Sequence, residues 1–77
     1  MELADEMIDV KGLSCPRPLV ETQKKLRKME VGKTLEVVGD HGPSKTEIPN
    51  SMRQQGQEIL GITEEGNTWH IVIKKTK

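Results

Sequence analysis

The apolar residues of this chain keep switching period, and that switching limits it to few folds. Met7-Ile8-Asp9-Val10 alternates and is β-branched, the pattern of a short strand. From Leu19 the spacing becomes three and four. Leu19, Thr22, Leu26 and Met29 form one stripe, flanked by Val20 and Gln23, while Arg17, Glu21, Lys24, Lys25 and Lys28 fall largely on the other side. That is an amphipathic helix of about three to four turns. Lys and Arg crowd its last turns, which suits the negative end of a helix dipole, and Gly32 stops it.

Thr34-Leu35-Glu36-Val37-Val38 returns to a strand, and Gly39-Asp40-His41-Gly42-Pro43 is a loop dense in breakers. Ser44-Lys45-Thr46-Glu47 fits a capping box. The helix behind it carries Ile48 and Met52 on one side and ends at Gly56. Pro49 sits in its first turn if Thr46 is the cap, or kinks it if Ser44 is. Glu58-Ile59-Leu60-Gly61-Ile62-Thr63 reads as a third strand and Glu64-Glu65-Gly66-Asn67 as a turn. The fourth strand, Thr68-Trp69-His70-Ile71-Val72-Ile73-Lys74, puts Trp69, Ile71 and Ile73 on one face and turns His70 to solvent.

Two strand–helix–strand units give parallel pairs with right-handed crossovers. A closing hairpin then makes a mixed four-stranded sheet with both helices on one face. The expectation is an α+β fold, a two-layer α/β sandwich of order βαβαββ, in one domain over residues 1–77. Val38 and Val72 would lie on the uncovered face, which meets water or a partner.

Composition closes off several functions. At 77 residues the chain has no room for a site shared between domains. One Cys cannot form an internal disulfide or a multi-cysteine zinc cage. Twelve Lys and Arg against 12 Asp and Glu give zero net charge, so bulk charge does not drive it to nucleic acid or membrane. One Trp without Phe or Tyr makes no base-stacking platform, and direct nucleic-acid binding is not expected. No apolar run approaches the roughly 20 residues of a membrane span, and the acidic start has no signal-peptide core. A reduced, cytoplasmic setting follows as the expectation.

The lone cysteine is the candidate reactive group. A strand–helix reading puts Cys15 just past the first strand's C-terminal end, beside the helix N-cap, where chemistry collects in open α/β sheets. The helix N-terminus carries roughly +0.5 of an elementary charge, which favours thiolate over thiol, and Arg17 adds a cation. Pro16 and Pro18 fix φ at two positions and delete two N–H groups, so Arg17 and Leu19 keep the free amides of the first turn. The bland alternative is a buried cysteine acting as a small hydrophobe. Against it, Cys15 follows a glycine turn and sits outside both apolar stripes.

The segment Asp9-Val10-Lys11-Gly12-Leu13-Ser14-Cys15-Pro16-Arg17-Pro18-Leu19 resembles the signature of the TusA/SirA (YedF-like) family of small sulfur carrier proteins: Gly-Leu, a spacer, then Cys-Pro, any residue, Pro. The resemblance runs from about Met7 to Lys74. Val37-Val38 with Asp40, Glu47-Ile48-Pro49, Arg53 and Gly56 fit weaker positions. It implies the same βαβαββ sandwich. It also implies that Cys15 takes sulfane sulfur as a persulfide from a donor protein, a cysteine desulfurase or rhodanese-like protein. The sulfur then passes to a downstream acceptor in tRNA thiolation, molybdenum-cofactor synthesis or sulfur oxidation. Three positions depart from the family: His41 replaces a frequent second Asp, a second Cys near Met52 is absent, and Gln57 stands where a His is common.

Other residues carry lesser readings. Asp40 and His41 fall on the same sheet edge as Cys15 and could tune it, His41 as a base or as a cation facing sulfur anion. The commoner fate of such a histidine is a solvated loop. Cys15, His41 and an acid have no recognisable metal-ligand spacing, and no metal or cofactor is expected. Lys24, Lys25 and Lys28 are a solvated helix face or a docking surface for an acidic partner. The competing functions are a non-catalytic regulatory or RNA- or protein-interaction module, and a thiol redox sensor.

Overall fold

The computed structural model describes residues 4–14 and 17–77. The elements run β1 (Glu6–Asp9), α1 (Arg17–Arg27), β2 (Thr34–Gly39), α2 (Gly42–Gln54), β3 (Glu58–Glu65) and β4 (Thr68–Lys74). The sheet order is β1-β2-β4-β3, with β1 parallel to β2 and β4 antiparallel to both its neighbours. The closing hairpin therefore inserts β4 between β2 and β3, so the second strand–helix–strand unit does not form the parallel pair its order suggests, and β1 and β3 are the free edges.

One parity of the strands builds the core. Leu35, Val37, Trp69, Ile71 and Ile73 are at most 1% exposed and share a cluster with Leu26 from α1 and Ile48 and Met52 from α2. Both helices therefore cover the same face. Val38 and half-buried Val72 have the opposite parity and lie on the open face, as their positions in the sequence imply. His70 is there too, but it is not simply solvated: its Nδ1 lies 2.7 Å from Glu36 Oε2, a diagonal neighbour across β2 and β4.

β1 and β2 differ from the sequence reading by a residue at their ends, and α2 and β3 differ by more. α2 starts at Gly42 with His41 as N-cap and Pro43 in the first turn, so neither Ser44 nor Thr46 is the cap. Proline's fixed φ is already helical, and its missing N–H costs nothing there. Ser44 is instead fully buried, and Pro49 lies within the helix. β3 continues to Glu65, leaving a short turn at Gly66 and Asn67, where Gly66 has φ 59. The β3 register shifts between Ile59 and Gly61, so Leu60 is an extra residue on that edge. Among the described residues, no helix is long and apolar enough to cross a membrane.

Candidate functional site

Parallel pairing brings the C-terminal ends of β1 and β2 to one edge of the sheet. There the chain leaves β1 through Val10, whose N–H donates to Val38 C=O at 2.7 Å and whose C=O accepts from Leu13 N–H. The turn between them needs Gly12, which has φ 84. Two carboxylates fix this turn. Asp9 Oδ1 accepts Lys11 N–H at 2.9 Å, and Asp40 Oδ1 accepts Gly12 N–H at 3.0 Å. Asp40 thus reaches from the end of β2 to the turn leading towards the cysteine.

Cys15 and Pro16, the centre of the sequence-based site, lie outside the described residues. Their neighbours are defined. Arg17 N–H donates to Ser14 C=O at 2.8 Å, and α1 begins at Arg17. Arg17 therefore does not keep a free amide as the proline spacing suggested, because Ser14 C=O accepts it. Arg17 itself is exposed. Pro18 is fully buried, and its C=O accepts the Thr22 hydroxyl at 2.8 Å, with Thr22 also fully buried. The N-terminus of α1 is anchored by packing as well as by proline stiffness.

The second loop of the edge is equally held. His41 is half-buried, and its C=O accepts Trp69 Nε1–H at 2.9 Å. Its Nδ1 lies 2.9 Å from the hydroxyl of buried Ser44. It is therefore a cap residue engaged with α2, and not a freely solvated loop histidine. Of the two tuning candidates, Asp40 is the one joined to the Gly12 turn. Alternation gives no hint that Trp69 would secure His41. The signal was the lone tryptophan itself, because a buried indole N–H requires an acceptor.

Lys24, Lys25 and Lys28 form a separate feature, further along α1. They line a groove of about 510 Å³ beside β1. Among the described residues, no group of three or more His, Cys, Asp and Glu could hold a metal ion.

The family model described as "Sulfurtransferase TusA" matches residues 6–75. A protein of Archaeoglobus fulgidus, named provisionally as a sulfur carrier, is 40% identical over 73 residues, covering 94% of this chain and 83% of its own. The sulfur carrier protein TusA of Allochromatium vinosum is 33% identical over 72 residues, covering 94% and 95%. The crystal structure of a SirA-like protein from Desulfitobacterium hafniense superposes with a TM-score of 0.76 over 94% of this chain and 99% of that one, at 23% identity, which speaks for the fold alone.

Proposed function

We propose that this chain, which belongs to the TusA sulfurtransferase family, accepts sulfane sulfur as a persulfide on Cys15 and hands it to an acceptor protein. The observation that carries the reading is the family match over residues 6–75, which includes the Cys15-Pro16-Arg17-Pro18 element. The surroundings support it. The turn that precedes the element is pinned by Asp40 to the end of β2, and α1 starts at Arg17, so the positive end of its dipole lies next to this segment in the chain. A thiol near its usual pKa of about 8.5 is mostly protonated at neutral pH, and a helix N-terminus and a cation raise the thiolate fraction.

The step balances without an external oxidant. The Cys15 thiolate attacks the outer sulfur of a donor persulfide. A sulfur–sulfur bond forms to Cys15 as the donor's breaks, and the donor leaves as a thiolate that takes up a proton. Transfer to the acceptor repeats the exchange in the other direction. Donors of the right chemistry are a cysteine desulfurase or a rhodanese-like protein, and the downstream acceptor serves tRNA thiolation or a related sulfur-trafficking route. Pro16, Arg17 and Pro18 support the thiol, and the tethered Asp40 with the capped His41 set its surroundings.

The test is intact mass after incubation with a cysteine desulfurase and cysteine. A cyanide-labile gain of one sulfur, absent in Cys15→Ser, supports the carrier. Absence of any gain across several donor classes overturns it, and uptake of oxygen under mild peroxide without sulfur uptake favours a redox sensor instead.

A further inference from the structure

β1 is an edge strand of four residues with a basic helix beside it. In a parallel ladder, inward- and outward-facing backbone groups alternate. Ile8 pairs with Val37, and Val10 N–H donates to Val38 C=O, so the even-numbered residues face β2. The N–H and C=O groups of Met7 and Asp9 therefore point away from the sheet, and both residues are exposed.

Next to that edge runs the groove of about 510 Å³. Ile8 and Leu13 lie on its strand side, and Glu21, Lys24, Lys25 and Lys28 form its helix side. These last four stand at i, i+3, i+4 and i+7, a stripe along the end of α1 and into the turn that follows it at Lys28. The acids nearby are already engaged: Glu21 lies 3.8 Å from Lys24, Glu6 lies 3.2 Å from Lys25, and Asp9, which also lines the groove, lies 3.9 Å from Lys11. Among the described residues, Lys28 has no carboxylate within ion-pair distance. The Lys24–Glu21 pair is solvent-exposed and so is easily exchanged for a better partner.

The dimensions select an occupant. Lys24 lies in the last turn of α1 and Lys28 in the turn that continues it, where Lys28 N–H donates to Lys25 C=O at 3.0 Å, so the two stand about one helical turn apart, a rise of about 6 Å. Side chains two residues apart on a strand are separated by about 6.6 Å and point the same way. We infer that this groove docks an extended acidic segment of a partner protein, paired by its backbone to the free edge of β1 with two carboxylates, two residues apart, set against Lys24 and Lys28. Backbone pairing supplies affinity, and the lysines supply selection for acid. The inference rests on the carrier reading only in taking the partner to be the protein that delivers or receives sulfur. The groove includes Leu13, two positions before Cys15, so a segment docked there brings its protein to the cysteine.

The test uses the full chain labelled with ¹⁵N and titrated with a blocked hexapeptide of alternating glutamate and valine. The amides of Met7 and Asp9 and the residues of the Lys24-to-Lys28 stripe shift, and the affinity falls with added salt. Lys24→Glu with Lys28→Glu weakens binding by at least about tenfold, as attraction becomes repulsion. Alkylation of Cys15 by iodoacetamide keeps its rate in the same variant, so loss of docking and loss of thiol chemistry are read separately. Four results would each overturn the inference. A control hexapeptide of alternating lysine and valine binds equally well. Shifts fall at Gln57 and Lys75, in the basic pocket at the far end of α1, and spare Met7 and Asp9. A single-stranded ribo-oligonucleotide shifts the groove amides more strongly than the peptide, which reassigns the groove to RNA. The double variant binds the peptide unchanged but self-associates, as it would if the lysines only guard a strand edge.

Discussion

Replacing Gly39 by alanine tests whether the candidate site rests on the core. Gly39 pairs with Trp69 across β2 and β4, and the indole lies over it. A Cβ at this position would meet Trp69 Cη2 and Cζ2 at 2.6 Å and Val10 Cγ2 at 2.9 Å. Neither neighbour can swing into solvent, since Trp69 is 1% exposed and Val10 is 2%. Forcing one methyl into such a space costs about 1–3 kcal/mol. A displaced indole also loses its bond to His41 C=O, about 0.5–1.5 kcal/mol more. The sum, about 1.5–4.5 kcal/mol, is a large share of the roughly 4–12 kcal/mol expected for a domain of this length. At about 4–8 °C per kcal/mol, the melting temperature of Gly39→Ala falls by roughly 6–36 °C. Thermal unfolding followed by circular dichroism gives the shift, and Trp69 fluorescence reports the indole. Gly42→Ala is the control: nothing lies within 4 Å of its Cβ, and its effect stays within about 0.5 kcal/mol. A Gly39→Ala protein that melts within about 4 °C of the parent would refute the reasoning, because the indole would then be free to move without cost.

The remaining predictions concern the sheet edge. Asp40→Ala frees the Gly12 turn; it lowers the rate of sulfur acceptance from a persulfide donor, while its stability falls by only about 0.5–1.5 kcal/mol because the bond is exposed. Asp40→Asn, which keeps an acceptor, recovers most of the rate. His41→Ala that accepts sulfur at the parent rate from pH 6 to 8 would show that its ring serves α2 and not the thiol. At the other end of β1, the Thr34 backbone N–H, above all, holds the Asp5 carboxyl below its ordinary value of 3.8, helped by the Thr34 hydroxyl and Lys33. A lowered pKa means a tie that is fully present above pH 3.8 and is lost as pH falls through the folded value. Amide exchange at Thr34 therefore quickens at the acid end of a titration in the parent and is already fast at neutral pH in Asp5→Ala.

The order and type of every element could be read from the sequence because period decides them. Alternation at Trp69, Ile71 and Ile73 and three-four spacing at Thr22, Leu26 and Met29 each permit one geometry. Boundaries were less legible where one residue type has two uses. Gly42-Pro43 reads as a breaker pair, yet the same proline φ opens α2. Ser44 reads as a cap, but its hydroxyl is buried and shared with His41. The ties that shape the site join residues far apart in the chain. Asp40 reaches Gly12 over 28 positions and Trp69 reaches His41 over 28, and pairing across such distances follows from register, which one strand's pattern cannot supply. The Glu36–His70 bond on the open face is a second case: alternation predicts the face but not the diagonal partner.

These ties also explain why so small a sandwich can carry the chemistry proposed for it. A chain with one cysteine cannot release its own persulfide by forming an internal disulfide, so both loading and unloading depend on another protein. Such a site needs access and a defined direction of approach more than it needs a pocket. In the proposed carrier the fold supplies the direction by fixing the segments on either side of Cys15. Asp40 holds the turn before it, buried Pro18 and Thr22 hold the helix after it, and Trp69 holds the neighbouring loop. Each anchor bonds to backbone, so side chains exposed along α1 are free to differ without loosening the site. The net charge of zero is then a sum over unlike regions. Arg17–Arg27 carries four cations and one acid, 4 − 1 = +3, and that excess lies beside an unpaired strand edge. In the proposed carrier, partner choice is then set by the basic surface at the end of α1 and sulfur reactivity beside its N-terminus, two roles separated along one helix of 11 residues.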